Sequence, residues 1–229
     1  MTNTTSPRIL FVLTSHATIE ATGKPTGAFL AEITHPYYEL LAAGATVDFV
    51  SVRGGAVPLD GVDRKDPVNA RGLDDAALMR ALQTTAAPAD LDAARYDAVF
   101  FAGGHGTMWD FRDARELAAI ASRVYQRGGV VAAVCHGPAG LLGIELPDGR
   151  PLVAGKRVAA FTNEEERAVG LAEVVPFLLA DALVAKGAQH VPGPKWAANV
   201  VVDERLVTGQ NPASAIGVAK AIVELVQRR

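Results

Sequence analysis

The only cysteine of this 229-residue chain is followed directly by a histidine, in the segment VVAAVCHGPAGLL (residues 130–142). A thiol beside an imidazole is suited to nucleophilic catalysis, because a thiolate attacks carbonyl carbon and a histidine can carry its proton. Cys135 follows an apolar, β-branched run and precedes a glycine and a proline. This order predicts a strand that turns sharply into a helix at Cys135. The layout is that of a nucleophile elbow, with small residues at Ala133 and Gly137.

The predicted turn also leads to an expectation for the thiol itself. The positive end of the helix dipole should favour the thiolate, so we expect a Cys135 pKa below the ~8.5 of a free cysteine. The backbone N–H of His136 would face an oxyanion formed on a substrate attacked by Cys135. The alternative is a buried, inert cysteine, which is common in proteins. The position between strand and helix, and the His-Gly-Pro that follows, favour the reactive role.

A second segment that could approach a ligand is FFAGGHGTMWD (residues 100–110). Gly103 and Gly104 end a predicted strand, and backbone amides there can come close to a ligand because glycine has no Cβ. Gly104 is a candidate second oxyanion donor, and His105 is a candidate pocket residue. A phosphate-binding loop or a plain turn are the alternatives. The GxGxxG spacing and the lysine of a P-loop are both absent, which weakens the nucleotide interpretation.

These two segments lie in a chain that alternates apolar, β-branched runs with helical patterns. Fully apolar strands, each followed by a helix, predict an α/β fold with a doubly wound, mostly parallel sheet flanked by helices. In such a sheet the ligand site lies at the carboxyl ends of the strands. The predicted strands are residues 8–14, 46–52, 96–104, 128–134, 156–162, 199–203 and 205–209, and the predicted helices are 35–44, 113–129, 176–187 and 213–229.

Two further details of this assignment concern the first helix and the long segments without a regular pattern. The helix over 35–44 has Pro36 at a tolerated first position and Gly44 as its stop. The segments 15–27 and 53–72 are long and without a regular pattern, which is typical of functional, interfacial or surface loops.

Composition excludes several classes of partner. The formal net charge of −3 at pH 7 argues against a bulk attraction to nucleic acid or to an anionic membrane. No stretch approaches the roughly 20 apolar residues of a membrane span, and the N-terminus does not have the pattern of a signal peptide. One cysteine cannot form an intrachain disulfide, so we expect a reducing, cytoplasmic setting.

Because His16, His35 and His190 are scattered along the sequence, we expect no metal site.

Four segments, taken together and in this order, resemble the DJ-1/PfpI superfamily. They are KPTGAFLAE (24–32), FAGGHGT (101–107), AVCHGPAGLL (133–142) and LVTGQNPAS (206–214). The sequence over residues 23–51 further resembles the Hsp31-like, glutathione-independent glyoxalase III branch. The resemblance covers about residues 8–225. It implies a flavodoxin-like sandwich, similar to class I glutamine amidotransferases, formed as a single domain over residues 1–229 with an inserted loop region near 53–72.

The resemblance also implies a set of catalytic residues. Cys135 matches the nucleophile and His136 the histidine beside it. Glu166 matches the acid that supports the histidine, although Glu164 and Glu165 are near misses. Glu32 matches the carboxyl group that hydrogen-bonds the thiol. Without the resemblance, Glu32 would be interpreted as a surface helix residue and the three glutamates as a solvated acidic loop.

The implied activity is conversion of a 2-oxoaldehyde such as methylglyoxal to a 2-hydroxy acid, without a cofactor and in a homodimer. Alternatives with the same thiol are a cysteine amidase or peptidase, a protein deglycase and an oxidation sensor. A holding chaperone for unfolded proteins, which would need an exposed apolar surface, is the alternative from a different class.

Overall fold

The computed structural model describes residues 6–228. In this part of the chain the strands are β1 (Arg8–Leu13), β2 (Thr18–Ile19), β3 (Lys24–Pro25), β4 (Ala28–Phe29), β5 (Thr46–Ser51), β6 (Leu59–Asp60), β7 (Ala98–Phe101), β8 (Val130–Val134), β9 (Arg157–Val158), β10 (Gln189–His190), β11 (Val200–Asp203) and β12 (Leu206–Gly209). The helices are α1 (Ala31–Ala42), α2 (Pro67–Asp74), α3 (Ala76–Gln83), α4 (Thr107–Asp110), α5 (Arg115–Gln126), α6 (Asn163–Ala168), α7 (Leu179–Ala185) and α8 (Ala215–Gln227). None of these helices is long and apolar enough to cross a bilayer.

A six-stranded sheet in the order β11-β12-β8-β7-β1-β5 forms the centre of the fold. Its neighbours pair in parallel, except for the antiparallel hairpin of β11 and β12. The prediction of a mostly parallel sheet flanked by helices is confirmed. Because the strands run the same way, the carboxyl ends of β7 and β8 meet at one edge of the sheet.

Helices cover both faces of this sheet, which explains why its inner strands are apolar throughout. Successive side chains on a strand point to opposite faces, so each strand contributes to two cores. One core joins alternate residues of β1, β7 and β8 to α5 and α7, and includes Leu10, Val12, Val99, Phe101, Val131, Leu117, Ile120, Val124 and Leu183. The other joins the intervening residues to α1, α3 and α8, and includes Ile9, Phe11, Phe100, Val130, Val134, Ile33, Leu40, Leu78, Leu82, Val218 and Ile222.

The predicted strand over 156–162 is wrong in extent and in place. Only Arg157–Val158 form a strand, and this strand pairs with β10 outside the central sheet. The backbone then leaves ladder geometry, because the Ala159 N–H donates to the side-chain hydroxyl of Thr208 at 2.8 Å. The apolar run was correctly predicted to be buried, but periodicity cannot show which partner a short strand has.

The first helix begins earlier than its predicted boundary of residue 35. Pro36 lies inside α1 rather than at its first position. The missing N–H of Pro36 removes one bond of the helix, the one to the Glu32 carbonyl four residues back. Since α1 begins at Ala31, the side chain of Glu32 is in its first turn.

The segments predicted to be irregular contain short regular elements. Residues 15–27 include the β2–β3 hairpin, and residues 53–72 include β6 and the start of α2. The Asp66 carboxylate accepts from the N–H groups of Val68 and Asn69, with Pro67 at the first helical position. This helix-start signal, DP before VNARG, was present in the sequence and was missed.

Candidate active site

Cys135 lies at the strained turn that the sequence predicted. Its φ is +59°, in the left-handed region that a side chain rarely adopts, between β8 and a 3-10 helix over Gly137–Gly143. Both backbone groups of Cys135 are held. Its N–H donates to the Gly209 carbonyl at 2.9 Å, and its carbonyl accepts from Phe161 N–H at 2.9 Å. A Cβ at Gly137 would overlap the Phe101 carbonyl, so only glycine fits directly after the Cys-His pair.

The thiol and the adjacent imidazole are in contact. Cys135 Sγ lies 3.3 Å from His136 Nδ1, and His136 Nε2 lies 2.8 Å from Glu166 Oε2. A carboxylate can only accept, so Nε2 carries the hydrogen and Nδ1 has a lone pair facing the thiol. Burial, followed by the neighbouring His105, lowers the pKa of His136 to about 4. The histidine is therefore neutral at neutral pH and has the tautomer of a base directed at the thiol.

Glu166 accepts hydrogen bonds from two histidines. Its Oε1 lies 2.9 Å from His105 Nε2, and the two imidazole rings are 4.1 Å apart between centroids. Burial alone would raise the pKa of Glu166, but the hydrogen bonds from His105 and His136 lower it to about 2. A carboxylate in this state keeps both rings oriented over the whole neutral range.

The three consecutive glutamates occupy different environments. Glu164 is exposed and lies 3.3 Å from the Lys195 amine. Glu165 is buried. Burial alone would raise the pKa of Glu165, but side-chain and backbone hydrogen bonds outweigh it and lower that pKa. Of the three, Glu166 is the one that contacts His136. The donors to Glu165 are Asn211 Nδ2, Gln210 Nε2, Trp196 N–H, and the N–H and hydroxyl of Thr162.

Glu32 lies on the other side of the thiol and is completely buried. The interpretation from the residues alone, a surface helix position, is wrong because the first turn of α1 packs under the end of β7. Its Oε2 accepts from Gly103 N–H at 2.9 Å, whereas its buried Oε1 has no partner that meets hydrogen-bond geometry. Burial raises the pKa of Glu32 to about 8, and hydrogen bonds to Cys135 and Gly103 oppose that rise only in part.

The prediction of a lowered thiol pKa is wrong for this structure. Burial, followed by the interaction with Glu32, raises the pKa of Cys135 well above its ordinary value. The backbone N–H of His136 acts in the opposite direction but is outweighed. The helical turn that follows is a 3-10 segment without a cationic side chain against the sulfur, so the dipole alone cannot hold a buried thiolate. The thiol is the resting form, and its proton has to leave as the sulfur reacts.

The two glycines after β7 bring backbone segments into close contact. A Cβ at Gly103 would lie 2.9 Å from the N–H nitrogen of His136 and would also overlap Glu32. Gly104 has a φ of +104°, and a Cβ there would lie 2.5 Å from the Phe29 backbone nitrogen. These close contacts are made within the protein, and the approach of the two glycines to a ligand stays a prediction. The oxyanion role of Gly104 stays a prediction.

Two aromatic residues beside His136 were not predicted as site residues, because no local sequence pattern marks them. The Phe161 ring packs on His136 at 4.3 Å between centroids, and the Trp196 ring lies 5.9 Å beyond it. Trp196 is 48% exposed and has a φ of +65°. The backbone N–H of Trp196 donates to Glu165 Oε1 at 2.9 Å, which holds this residue near the histidine.

The histidines that the sequence showed as scattered lie apart from this site. His16 is near Glu20, His35 near Asp66, and His190 near the Ala160 carbonyl. Within the described residues, the group whose ligand atoms are close enough for a metal ion is His105, His136 and Glu166.

A family model described as the DJ-1/PfpI family matches residues 26–225 of the chain. The chain is similar to Glyoxalase 3 of Candida albicans, with 36% identity over 94% of this chain and 97% of that protein. It is also similar to the glutathione-independent glyoxalase HSP31 of Saccharomyces cerevisiae, with 33% identity over 96% of this chain and 98% of that protein.

A similar structure is the crystal structure of glyoxalase III from Candida albicans. Its TM-score is 0.89 at 31% sequence identity, and the match covers 96% of this chain and 97% of that one. The similarity therefore extends over nearly the whole length in both sequence and fold.

Proposed function

Because the chain belongs to the DJ-1/PfpI family, we propose that it is a glutathione-independent glyoxalase that converts methylglyoxal and related 2-oxoaldehydes to 2-hydroxy acids. The relatives that match it over nearly their full length have this activity in their names. The observation that carries the proposal is the contact of the Cys135 thiol with the acceptor nitrogen of a neutral His136. A thiol within the protein takes the place that glutathione would have.

The first step is addition of Cys135 to the aldehyde carbon. The sulfur forms a bond to C1 while its proton passes to His136 Nδ1, and the same proton then passes to the oxygen on C1, which gives a hemithioacetal and a neutral His136. Coupling the two events avoids a free thiolate in a buried site that disfavours it. The backbone N–H of His136 lies beside the sulfur and is available to the oxygen on C1, and Gly104 is the proposed second donor.

The second step moves hydrogen from C1 to C2. Of the two candidate bases, Glu32 is protonated at neutral pH, so the neutral His136 removes the C1 proton, an enediol-like intermediate forms, and a proton returns to C2. The product is a thioester of the 2-hydroxy acid. Water then cleaves the thioester and restores the thiol, so methylglyoxal and water together give lactate.

Glu166 is the group we propose to orient His136 during these transfers. Its low pKa keeps it ionised, so it stabilises the imidazolium that forms when Nδ1 takes a proton. Glu32, with a pKa of about 8, is protonated at neutral pH and can donate to the sulfur or to the substrate. The two carboxyl groups thus have different roles next to one thiol.

Incubation of the pure protein with methylglyoxal, in the absence of glutathione, tests the proposal directly. Chiral analysis should find D-lactate in an amount that matches the methylglyoxal consumed. A Cys135→Ser protein is the control for spontaneous loss of the aldehyde. Absence of lactate, with hydrolysis of amide substrates instead, would favour the amidase alternative.

The proposal includes a homodimer in the cytoplasm, which is what family membership suggests. Light scattering of the purified chain and fractionation of cells that express it would test these two statements. A monomer in solution would remove the dimer from the proposal and leave the chemistry unchanged.

A further inference from the structure

Two histidines share one carboxylate in this site, whereas a thiol, histidine and acid need only one. The three ligand atoms of His105, His136 and Glu166 lie within 4.8 Å of one another. Each histidine presents Nε2 to a different oxygen of Glu166, at 2.9 and 2.8 Å. We propose that these three side chains form a binding site for a divalent transition-metal ion such as Zn²⁺, and that the bound ion inhibits the enzyme.

The spacing of the donors fits a metal ion. Zinc binds imidazole nitrogen and carboxylate oxygen at about 2.0–2.2 Å, so two ligand atoms of a tetrahedral site lie about 3.3 Å apart. The present N···O distances of 2.8 and 2.9 Å are only slightly shorter than this. Two neutral imidazoles and one carboxylate are also a common ligand set of zinc sites that keep a fourth position open.

Access to the site comes from the His105 side. The His105 side chain is 18% exposed, whereas His136 and Glu166 are buried. Neighbouring residues hold His136 in place. The buried Thr107 hydroxyl donates to the His136 carbonyl at 3.1 Å, and Phe161 packs on the His136 ring. An ion would therefore enter past one partly exposed ligand and meet two buried ones.

The thiol is not part of this site. Cys135 Sγ contacts Nδ1 of His136, whereas the carboxylate and the proposed ion lie at Nε2. A metal on Nε2 displaces its hydrogen, so the neutral imidazole must carry its hydrogen on Nδ1. Nδ1 then has no lone pair for the thiol proton, and the addition step fails. This consequence rests on the proposed function, whereas the binding itself does not.

Zinc titration of the metal-free protein tests the binding. Competition with a chromophoric chelator should show one tight site in the wild-type chain and equal affinity in Cys135→Ser. His105→Gln keeps an N–H for Glu166 but loses the nitrogen ligand, so its affinity should fall at least about 100-fold, above the 10–100-fold seen when only a supporting group is removed. His35→Gln is the matched control, because it removes a histidine that pairs with Asp66 at 2.7 Å and is not one of the three proposed ligands.

The absorption spectrum of the Co²⁺ complex gives a second readout that needs no variant. Nitrogen and oxygen ligands give tetrahedral d–d bands without a thiolate-to-cobalt charge-transfer band. Such a band, loss of the site in Cys135→Ser, unchanged affinity in His105→Gln, or no tight site at all would each overturn the proposal. Zn²⁺ should also stop lactate formation, and a chelator should restore it. If the chain makes no lactate, the binding measurements still decide whether the metal site exists.

Discussion

The carboxyl groups on the two sides of Cys135 are almost equally buried but differ in charge. Glu32, at the start of α1, is fully buried, with one backbone donor and a pKa raised to about 8. Glu166, in the first turn of α6, is 3% exposed, with two histidine donors and a pKa lowered to about 2. Burial disfavours the charged form at both sites. The number of hydrogen-bond donors then determines whether the carboxyl group is nevertheless ionised at neutral pH. The thiol thus lies between a protonated acid and an ionised one.

Substitution of Cys135, which lies between Glu32 and Glu166, should have the largest effect on lactate formation. Cys135→Ser should lower lactate formation at least about 1,000-fold, because the hydroxyl is a far weaker nucleophile next to a neutral histidine. The measurement is the initial rate of D-lactate production from methylglyoxal. Far-UV circular dichroism serves as the folding control. Turnover close to that of the parent protein would mean that the chemistry does not pass through this residue.

Removal of the negative charge of Glu166 should have the next largest effect on the catalytic rate. Glu166→Gln offers one acceptor to two histidines, so the His136 tautomer that faces the thiol is no longer enforced. We expect kcat to fall roughly 1,000-fold with little change in fold. Glu164→Gln, the exposed neighbour, is the matched control and should behave like the parent. Equal rates for the two variants would contradict the assignment of Glu166 as the orienting acid.

Substitution of Glu165 tests whether the buried hydrogen bonds at α6 also stabilise the fold. Glu165→Ala would leave several buried donors without an acceptor, so we expect a loss of about 3–5 kcal/mol in the free energy of unfolding. Glu164→Ala should stay within about 0.5 kcal/mol. Urea unfolding followed by fluorescence compares them. If the alanine variant does not fold, Glu165→Gln gives a milder version, and stability equal to that of the parent would show that these hydrogen bonds are dispensable.

The smallest expected effect concerns the pH profile that Glu32 imposes. If the protonated carboxyl is the working form, kcat/KM should fall about tenfold per pH unit above pH 8. Glu32→Gln always carries an N–H donor, so its profile should lack this decline. A decline of the same size in the variant would assign it to another group.

Stability should change with pH in the same direction. The pKa of Glu32 is higher in the folded chain, about 8, than its ordinary 4.5, so the folded state holds this proton more tightly. That contribution is complete below pH 4.5 and is lost as the pH rises through about 8. The melting temperature of the parent should therefore decrease over this range relative to that of Glu32→Gln, and parallel curves would contradict the raised pKa.

The sequence predicted the inner strands and the turn at Cys135 correctly, but it did not predict the segment over residues 156–162. The buried strands β1, β7 and β8 were predicted because a run of apolar, β-branched residues needs no knowledge of its partner. The turn at Cys135 was predicted because the small residues that a nucleophile elbow requires are adjacent in sequence. The 156–162 segment failed because its hydrogen-bond partner, Thr208, lies 49 residues away from Ala159.

The catalytic candidates show the same limit. The resemblance selected Glu32 and Glu166, but nothing local to either residue indicated its environment. Gly103 and Glu32 are 71 residues apart in sequence, and His105 and Glu166 are 61 apart. The second histidine on Glu166 therefore had no signal in the sequence, and His105 was expected only as a pocket residue.

The sequence by itself determined the layered α/β architecture and the position of the thiol at the end of β8, because hydrophobic periodicity and glycine spacing act over a few residues. Only the tertiary structure decided which acids are charged, which nitrogen of His136 is the base and that the thiol rests protonated. Those properties depend on desolvation and on donors that distant segments bring within 3 Å, and the order of residues along the chain does not encode them locally.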